Sequence, residues 1–257
     1  MIYLVREYIK YCLIAKNRHG IHSPFVYDFN DKCLSLPIPK FEYSVFKALQ
    51  KSYANNRESI EVTDLGAGSR KLKKQRSISK IASVSGSNGK YGKLLFRLVA
   101  HYQPKKILEL GTSLGLGTYM MSSASEEVEI TTVEGCKNTY EMARRSFPSS
   151  QHIKVDFVNN DFLSFLEKLK NDIVFDLIFI DGDHKSESLF KQLELLSPHI
   201  HDETIIVLDD IRWSKDMLFA WKELVRNPYY HLTIDLFKLG IIMKRSHQEK
   251  EGFVIKY

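Results

Sequence analysis

From Lys105 onward the chain alternates short apolar runs with helical stretches, and this alternation restricts its fold more than any other feature. The runs are KKILEL, EITTVE, IKVDFV, FDLIFID and TIIVLD. They are short, β-branched and nearly all apolar, as strands of a parallel sheet buried on both faces must be. Alternation of strand and helix predicts a doubly wound α/β sheet. The pattern then breaks. HLTIDLF and GIIMKR are separated by only Lys238 and Leu239, too few residues for a crossover helix, so they must pair as an antiparallel hairpin. The expectation is a seven-stranded sheet, five parallel strands followed by that hairpin. FVIKY at the C-terminus is expected to add an edge strand or to dock elsewhere.

The remainder divides by composition. Residues 1–60 read as an N-terminal helical extension capping the core. A first helix should run to about Lys16, with Ile2, Val5, Ile9, Cys12 and Leu13 near one face. A second should start with Ser23 as cap and Pro24 in the first turn, ending near Leu34, and a third should cover Tyr43 to Tyr53. Residues 61–90 read as a glycine-containing basic lid or linker, 91–245 as the core and 246–257 as a tail. No stretch reaches the run of about 18 apolar residues that a membrane helix needs. Arg6, Glu7 and Lys10 interrupt the apolar N-terminus and no small-residue cleavage site follows, so a cytoplasmic location is expected. Cys12, Cys33 and Cys136 have neither metal-like nor redox-like spacing and suit a reducing compartment. The formal charge of +6 permits an anionic partner without requiring one. Much of the excess lies in SRKLKKQR, Ser69 to Arg76, which reads first as a solvated loop.

Two stretches imitate a nucleotide-binding turn: DLGAGSR, Asp64 to Arg70, and LELGTSLGLGT, Leu108 to Thr118. The second follows a clear strand and opens a helix, the unit that brings backbone N–H groups against a ligand. The first has no following helix of suitable period and runs into Arg70, Lys71 and Lys73. It reads as a glycine-permitted turn in the lid, with Asp64 and Arg70 its likeliest functional residues. In the second, a dinucleotide G-x-G-x-x-G frame starting at Gly111 meets Ser113 and Leu116 where glycines belong. The frame that fits is acid-x-Gly-x-x-x-Gly: Glu109, Gly111, Gly115. The next strand ends in Glu134, where an acid can accept hydrogen bonds from both ribose hydroxyls.

With these motifs, about Lys90 to Arg245 resembles the class I S-adenosylmethionine-dependent methyltransferases, whose fold is Rossmann-like. ELGTSLG resembles their cofactor loop, which implies contacts from Glu109, Gly111, Thr112, Ser113 and Gly115. VEG resembles the ribose-binding segment, Glu134 and Gly135. NNDFLSFL resembles the segment that meets the adenine, with Asp161 on the amino group and Phe162 beside the ring; Asp161 could equally cap the helix it precedes. Lys90 sits where related enzymes close over the methionine end.

Ligands of open α/β sheets bind beyond the C-terminal strand ends. The fourth strand ends in Asp181, Asp183 and His184, and the fifth in Asp209 and Asp210. So many like charges in one crevice need neutralising, and a divalent cation with oxygen ligands would do so. IDGDH and LDDIRW resemble the catechol-type and caffeoyl-coenzyme-A-type O-methyltransferases, which implies Asp181, Asp209 and Asp210 as ligands of Mg2+ or another divalent cation. D-G-D-H departs from the D-x-x-K of that branch and resembles a D-G-x-H branch, which implies His184 as general base, with Asp181 beside it in catalysis and cofactor contact. The alternatives are helix caps for Asp183 and Asp210 and a packing role for His184. The expected activity is methyl transfer from S-adenosylmethionine to a hydroxyl of a small molecule. Competing readings are an RNA methyltransferase and a non-catalytic binding protein of the same fold; no RNA-binding module or aromatic-interleaved basic stretch favours nucleic acid. The sequence is compatible with a homodimer and does not fix the oligomeric state. NPYY, Asn227 to Tyr230, stands in the wrong place for an amine-methylating motif and reads as a turn, and RHGIH is broken by a glycine and reads poorly as a metal site.

Overall fold

The structure, a computed structural model, describes residues 2–17, 22–63, 75–84, 87, 89–148 and 154–257. DLGAGSR and most of the basic run lie outside the described residues, as does RHGIH apart from His22.

The expected alternation forms β3 Lys106–Leu110, α6 Leu116–Ser122, β4 Glu129–Glu134, α7 Lys137–Ser146, β5 Lys154–Asn159, α8 Phe162–Leu166, β6 Phe175–Ile180, α9 Ser186–Leu196, β7 Ile200–Leu208 and α10 Lys215–Arg226. β8 Leu232–Leu236 and β9 Leu239–Met243 make the antiparallel hairpin, and β10 Glu251–Val254 follows. The sheet order is β10-β8-β9-β7-β6-β3-β4-β5. Strands β3 to β7 are mutually parallel, and β9 closes onto β7 antiparallel. The fold is therefore the expected Rossmann-like sheet, with one strand more than the seven expected. The extra strand is β10, which comes from the FVIKY region and pairs in parallel with β8.

Alternate residues of each buried strand face opposite layers. Ile107, Ile130, Leu177, Phe179 and Val207 pack under α5 Lys90–Tyr102, while Leu108, Leu110, Ile178, Ile180 and Ile206 pack under α9 and α10. The hairpin turn is Phe237–Lys238, one residue earlier than the sequence suggests. Phe237 takes the left-handed conformation (φ 70°) that a two-residue turn requires.

The N-terminal part supplies α1 Ile2–Ile14, α2 Pro24–Phe29 continuing as a π-helical turn over Asn30–Leu34, and α3 Lys40–Asn55. Ser23 occupies the N-cap position, but its side chain makes no capping hydrogen bond. α3 shares a third apolar cluster with α6: Phe46 and Tyr53 pack with Leu114, Tyr119 and Met120. β1 Ser59–Glu61 and β2 Gln75–Ser77 form a separate antiparallel pair, and α4 Ile78–Val84 follows.

α1 docks differently from its apolar periodicity. Ile2 (87% exposed), Val5, Ile9 and Leu13 (80%) face outward. The helix is held instead by Tyr3, whose hydroxyl donates to the Ser214 carbonyl (3.0 Å), and by Tyr11, whose hydroxyl donates to the Ile255 carbonyl and whose ring meets Phe237. The Phe237 ring of the hairpin tip and the Arg212 guanidinium after β7 face this helix, and tyrosines match such a surface better than aliphatic side chains do.

Candidate active site

The strand order reverses between β3 and β6, where open α/β sheets form their ligand crevice. The turn after β3 begins with Gly111 at φ 109°, and a Cβ there would lie 2.2 Å from the Asp181 carbonyl oxygen. Only glycine lets the two strand ends touch. Gly115 (φ 76°) then takes the left-handed N-cap position of α6. Tyr53 of α3 pins the turn by donating from its hydroxyl to the Leu114 carbonyl (2.9 Å). Three non-glycine residues with positive φ, Ser113, Asp183 and Asp210, sit after β3, β6 and β7. Backbone strain of this kind collects at functional sites.

Glu134, at the end of β4, is half-buried, and its two oxygens accept from the backbone N–H groups of Ser113 and Cys136, each at 2.9 Å. It thus ties the glycine turn to β4 and keeps acceptor capacity for ligand hydroxyls, since each carboxylate oxygen has two lone pairs. Asn159 donates to the Glu134 carbonyl (2.7 Å) and to that of Gly135 (3.4 Å), fixing this segment from β5.

Glu109 is 1% exposed and lies beneath the turn. Its Oε2 accepts from Thr118 Oγ1 (2.5 Å) and Thr132 Oγ1 (2.6 Å), and Thr112 Oγ1 lies 2.6 Å from Thr132 Oγ1. Burial pushes the Glu109 carboxyl up to about 7, against the two threonine hydrogen bonds. The hydroxyl of Thr112 and the N–H of Ser113 are therefore engaged inside the protein, and Glu109 braces the loop from below. Asp161 caps α8, accepting from Ser164 N–H (2.9 Å), and that bond draws its carboxyl below the usual range. The Phe162 ring lies against Gly182, where a Cβ would come within 2.6 Å of it. Lys90 places its ammonium over the rings of Tyr91 (5.1 Å) and Tyr257 (4.6 Å).

On the other side of the Gly111–Asp181 contact the expected acids converge. His184 Nε2 is 3.9 Å from Asp181 Oδ1 and 3.8 Å from Asp210 Oδ2, and the Trp213 ring stands 6.3 Å from the imidazole. Asp209 is buried, and among the described residues neither of its oxygens has a hydrogen-bond partner. Burial, then the charge of Asp209, raises Asp181 well above the usual carboxylate range. Burial and Asp209 also raise Asp210.

The sequence reading missed Lys238. From the hairpin turn its ammonium reaches within 3.5 Å of both Asp209 Oδ2 and Asp210 Oδ1. Burial works against its charge, but Asp209, Asp210 and Asp181 together raise its pKa above the ordinary lysine value. The signal was present, because a hairpin closing onto β7 must bring its turn beside the β7 end. The residues do not fit the expected divalent ion. Among the described residues no three His, Cys, Asp or Glu side chains are placed to hold a metal. A doubly charged ion about 4 Å from the ammonium would also meet roughly 8 kcal/mol of repulsion at an effective dielectric of about 20.

NPYY is a turn into β8, with Tyr229 N–H donating to Asn227 Oδ1 (2.9 Å). The described end of β1 reaches the Glu134 side of the crevice, where Asn138 Nδ2 donates to the Glu61 carbonyl (2.7 Å) and Thr63 N–H points at Cys136 Sγ (3.4 Å).

Residues 108–211, from β3 through the acids after β7, match the family described as a methyltransferase domain. Over that stretch, less than half of its length, the chain is similar to this family. The chain also resembles solved structures. A provisionally named caffeoyl-CoA O-methyltransferase from Staphylococcus aureus aligns with a TM-score of 0.55 at 20% identity, covering 65% of this chain and 88% of that one. An SAH-bound methyltransferase from Podospora anserina aligns at 0.53 and 15% identity, covering 82% and 98%. An O-methyltransferase from Bacillus cereus in complex with SAH aligns at 0.51 and 18% identity, covering 84% and 94%. At these identities the likeness is one of fold. Among the described residues no helix is long and apolar enough to cross a membrane.

Proposed function

We propose that this protein transfers the sulfonium methyl group of S-adenosylmethionine to a hydroxyl of a small molecule. The observation that carries the reading is the contact between Gly111 and Asp181 at the switch point. It sets a glycine turn with a ribose-type acid, Glu134, directly beside the cluster of His184, Asp181, Asp209 and Asp210. The likeness to O-methyltransferase folds supports it.

In this reading Gly111, Gly115 and Glu134 hold the cofactor, Asp161 and Phe162 flank its base, Glu109, Thr112 and Ser113 shape the loop, and Lys90 lies near its far end. The sulfonium methyl is already activated, so the protein's tasks are alignment and removal of the acceptor proton. His184 takes that proton at Nε2, and the neighbouring carboxylates Asp181 and Asp210 orient the ring and stabilise the imidazolium. Magnesium assistance through Asp181, Asp209 and Asp210 would have to compete with Lys238 for the same carboxylates.

Two measurements test the reading. Calorimetry with S-adenosylhomocysteine should show binding that Glu134→Ala weakens by about tenfold or more, the loss of charge-assisted hydrogen bonds. Labelled methyl transfer should then be screened against phenolic, catecholic and sugar hydroxyls. No cofactor binding would reject the reading outright, and methylation of amines or RNA in place of hydroxyls would reject the acceptor class.

A further inference from the structure

Resting on that reading, we infer that Lys238 supplies from within the chain the positive charge that a bound metal ion would bring to the acceptor oxygen, so that this site works without a divalent cation. Its ammonium faces Asp209 and Asp210 at 3.5 Å from each. Asp210 is shared between the two candidate groups: Lys238 stands at Oδ1 and His184 Nε2 at Oδ2 (3.8 Å). The cation and the base therefore border the same carboxylate, with Asp209 buried beside the lysine and, among the described residues, without a hydrogen-bond partner.

The placement of Lys238 is built, because its turn is clamped on every side. Phe237 N–H donates to Asp235 Oδ1 (2.9 Å), and Arg212 donates to the Phe237 carbonyl (2.8 Å). Arg212 also grips both oxygens of Asp235 (2.8 and 2.7 Å), and Trp221 Nε1 adds a third donor to that carboxylate (2.9 Å). Ile211 N–H holds the Lys238 carbonyl (3.1 Å), and the rings of Tyr8 and Tyr11 on α1 cover Phe237. A lysine on a mobile surface turn would swing into water. On this clamped turn only its side chain can move, and the Tyr91 ring lies 5.5 Å from its ammonium.

The chemical step balances without a metal. The acceptor O–H bond breaks and its proton passes to His184 Nε2. The oxygen lone pair forms the new bond to the methyl carbon, and the electron pair of the breaking C–S bond returns to sulfur, leaving a neutral thioether. Lys238 stays protonated throughout and donates a hydrogen bond to the oxygen as negative charge builds there. Removing the lysine leaves Asp209 and Asp210 without their shared countercharge, and a hard cation is then drawn to the two carboxylates in its place.

The test uses the full chain stripped of metal with a chelator. Manganese binding is read by electron paramagnetic resonance for the native protein, Lys238→Met and Lys238→Arg. Calorimetry with S-adenosylhomocysteine reports on each variant's fold and cofactor side. Native protein and Lys238→Arg should bind no manganese tighter than about 1 mM, whereas Lys238→Met should gain affinity by about tenfold or more. Methyl transfer by native protein should be unchanged by chelator, and Lys238→Met should lose about a hundredfold in kcat with S-adenosylhomocysteine affinity intact. Manganese binding by the native protein tighter than about 0.1 mM overturns the inference, as does full chelator-insensitive activity in Lys238→Met. Absence of cofactor binding in the native protein would instead count against the methyltransferase reading, and the manganese comparison would still decide the role of Lys238.

Discussion

Glu109→Gln isolates the buried acid beneath the glycine turn. Glu109 accepts from Thr118 and Thr132 inside the protein, and burial carries its carboxyl from 4.5 to about 7. A raised carboxyl stabilises the fold fully below its unfolded pKa, and that contribution is lost as pH rises through the folded one. At about 1.4 kcal/mol per pH unit, the contribution falls by roughly 3 kcal/mol between pH 4 and pH 8. Glutamine keeps the shape and an acceptor for the threonines and cannot ionise. Urea unfolding of both proteins at pH 4, 6 and 8 should therefore show native stability falling relative to the variant, most steeply between about 4.5 and 7. Asp181 and Asp210 are also raised and titrate in both proteins, so the difference between the two curves reports Glu109. A constant difference across the range would refute the argument, because it would mean that Glu109 ionises as freely in the fold as outside it.

Three further outcomes follow from the same geometry. Gly111→Ala forces a Cβ to within 2.2 Å of the Asp181 carbonyl at φ 109°, and should cost about 3 kcal/mol, seen as a melting temperature lower by roughly 10 °C, together with lost cofactor binding. His184→Ala should lower turnover by about 10²- to 10⁴-fold while S-adenosylhomocysteine affinity, read by calorimetry, stays nearly constant; equal turnover would remove His184 from the mechanism. Arg212→Met strands the buried Asp235 carboxylate and should cost about 3–5 kcal/mol in urea unfolding, with part recovered in the double variant Arg212→Met/Asp235→Leu; a loss below about 1 kcal/mol would show that the pair is not buried as described.

Much of the candidate site's placement at the strand ends was legible before the structure. Gly111 and Gly115 announced a turn, Glu134 closed the next strand, and Asp181, His184, Asp209 and Asp210 closed two more, because each is marked by its position at the end of a local apolar run. The roles of several side chains were not legible. Thr118 and Thr132 look like ordinary helix and strand residues, yet they hold Glu109. Tyr53 lies far from the glycine turn in sequence and pins it through Leu114. The apolar stripe of α1 promised burial along Ile2, Val5, Ile9 and Leu13, and the helix docks through Tyr3 and Tyr11 instead.

The sequence by itself determined the strand–helix alternation, the hairpin and the residues at the strand ends, since hydrophobic period and turn length are local properties of a chain. Tertiary structure decided which of those ends meet. The reversal between β3 and β6 brought the glycine turn against Asp181, and the pairing of β9 with β7 carried Lys238 to Asp209 and Asp210. Contacts of that kind depend on strand order and register across the whole sheet, and no local period encodes them.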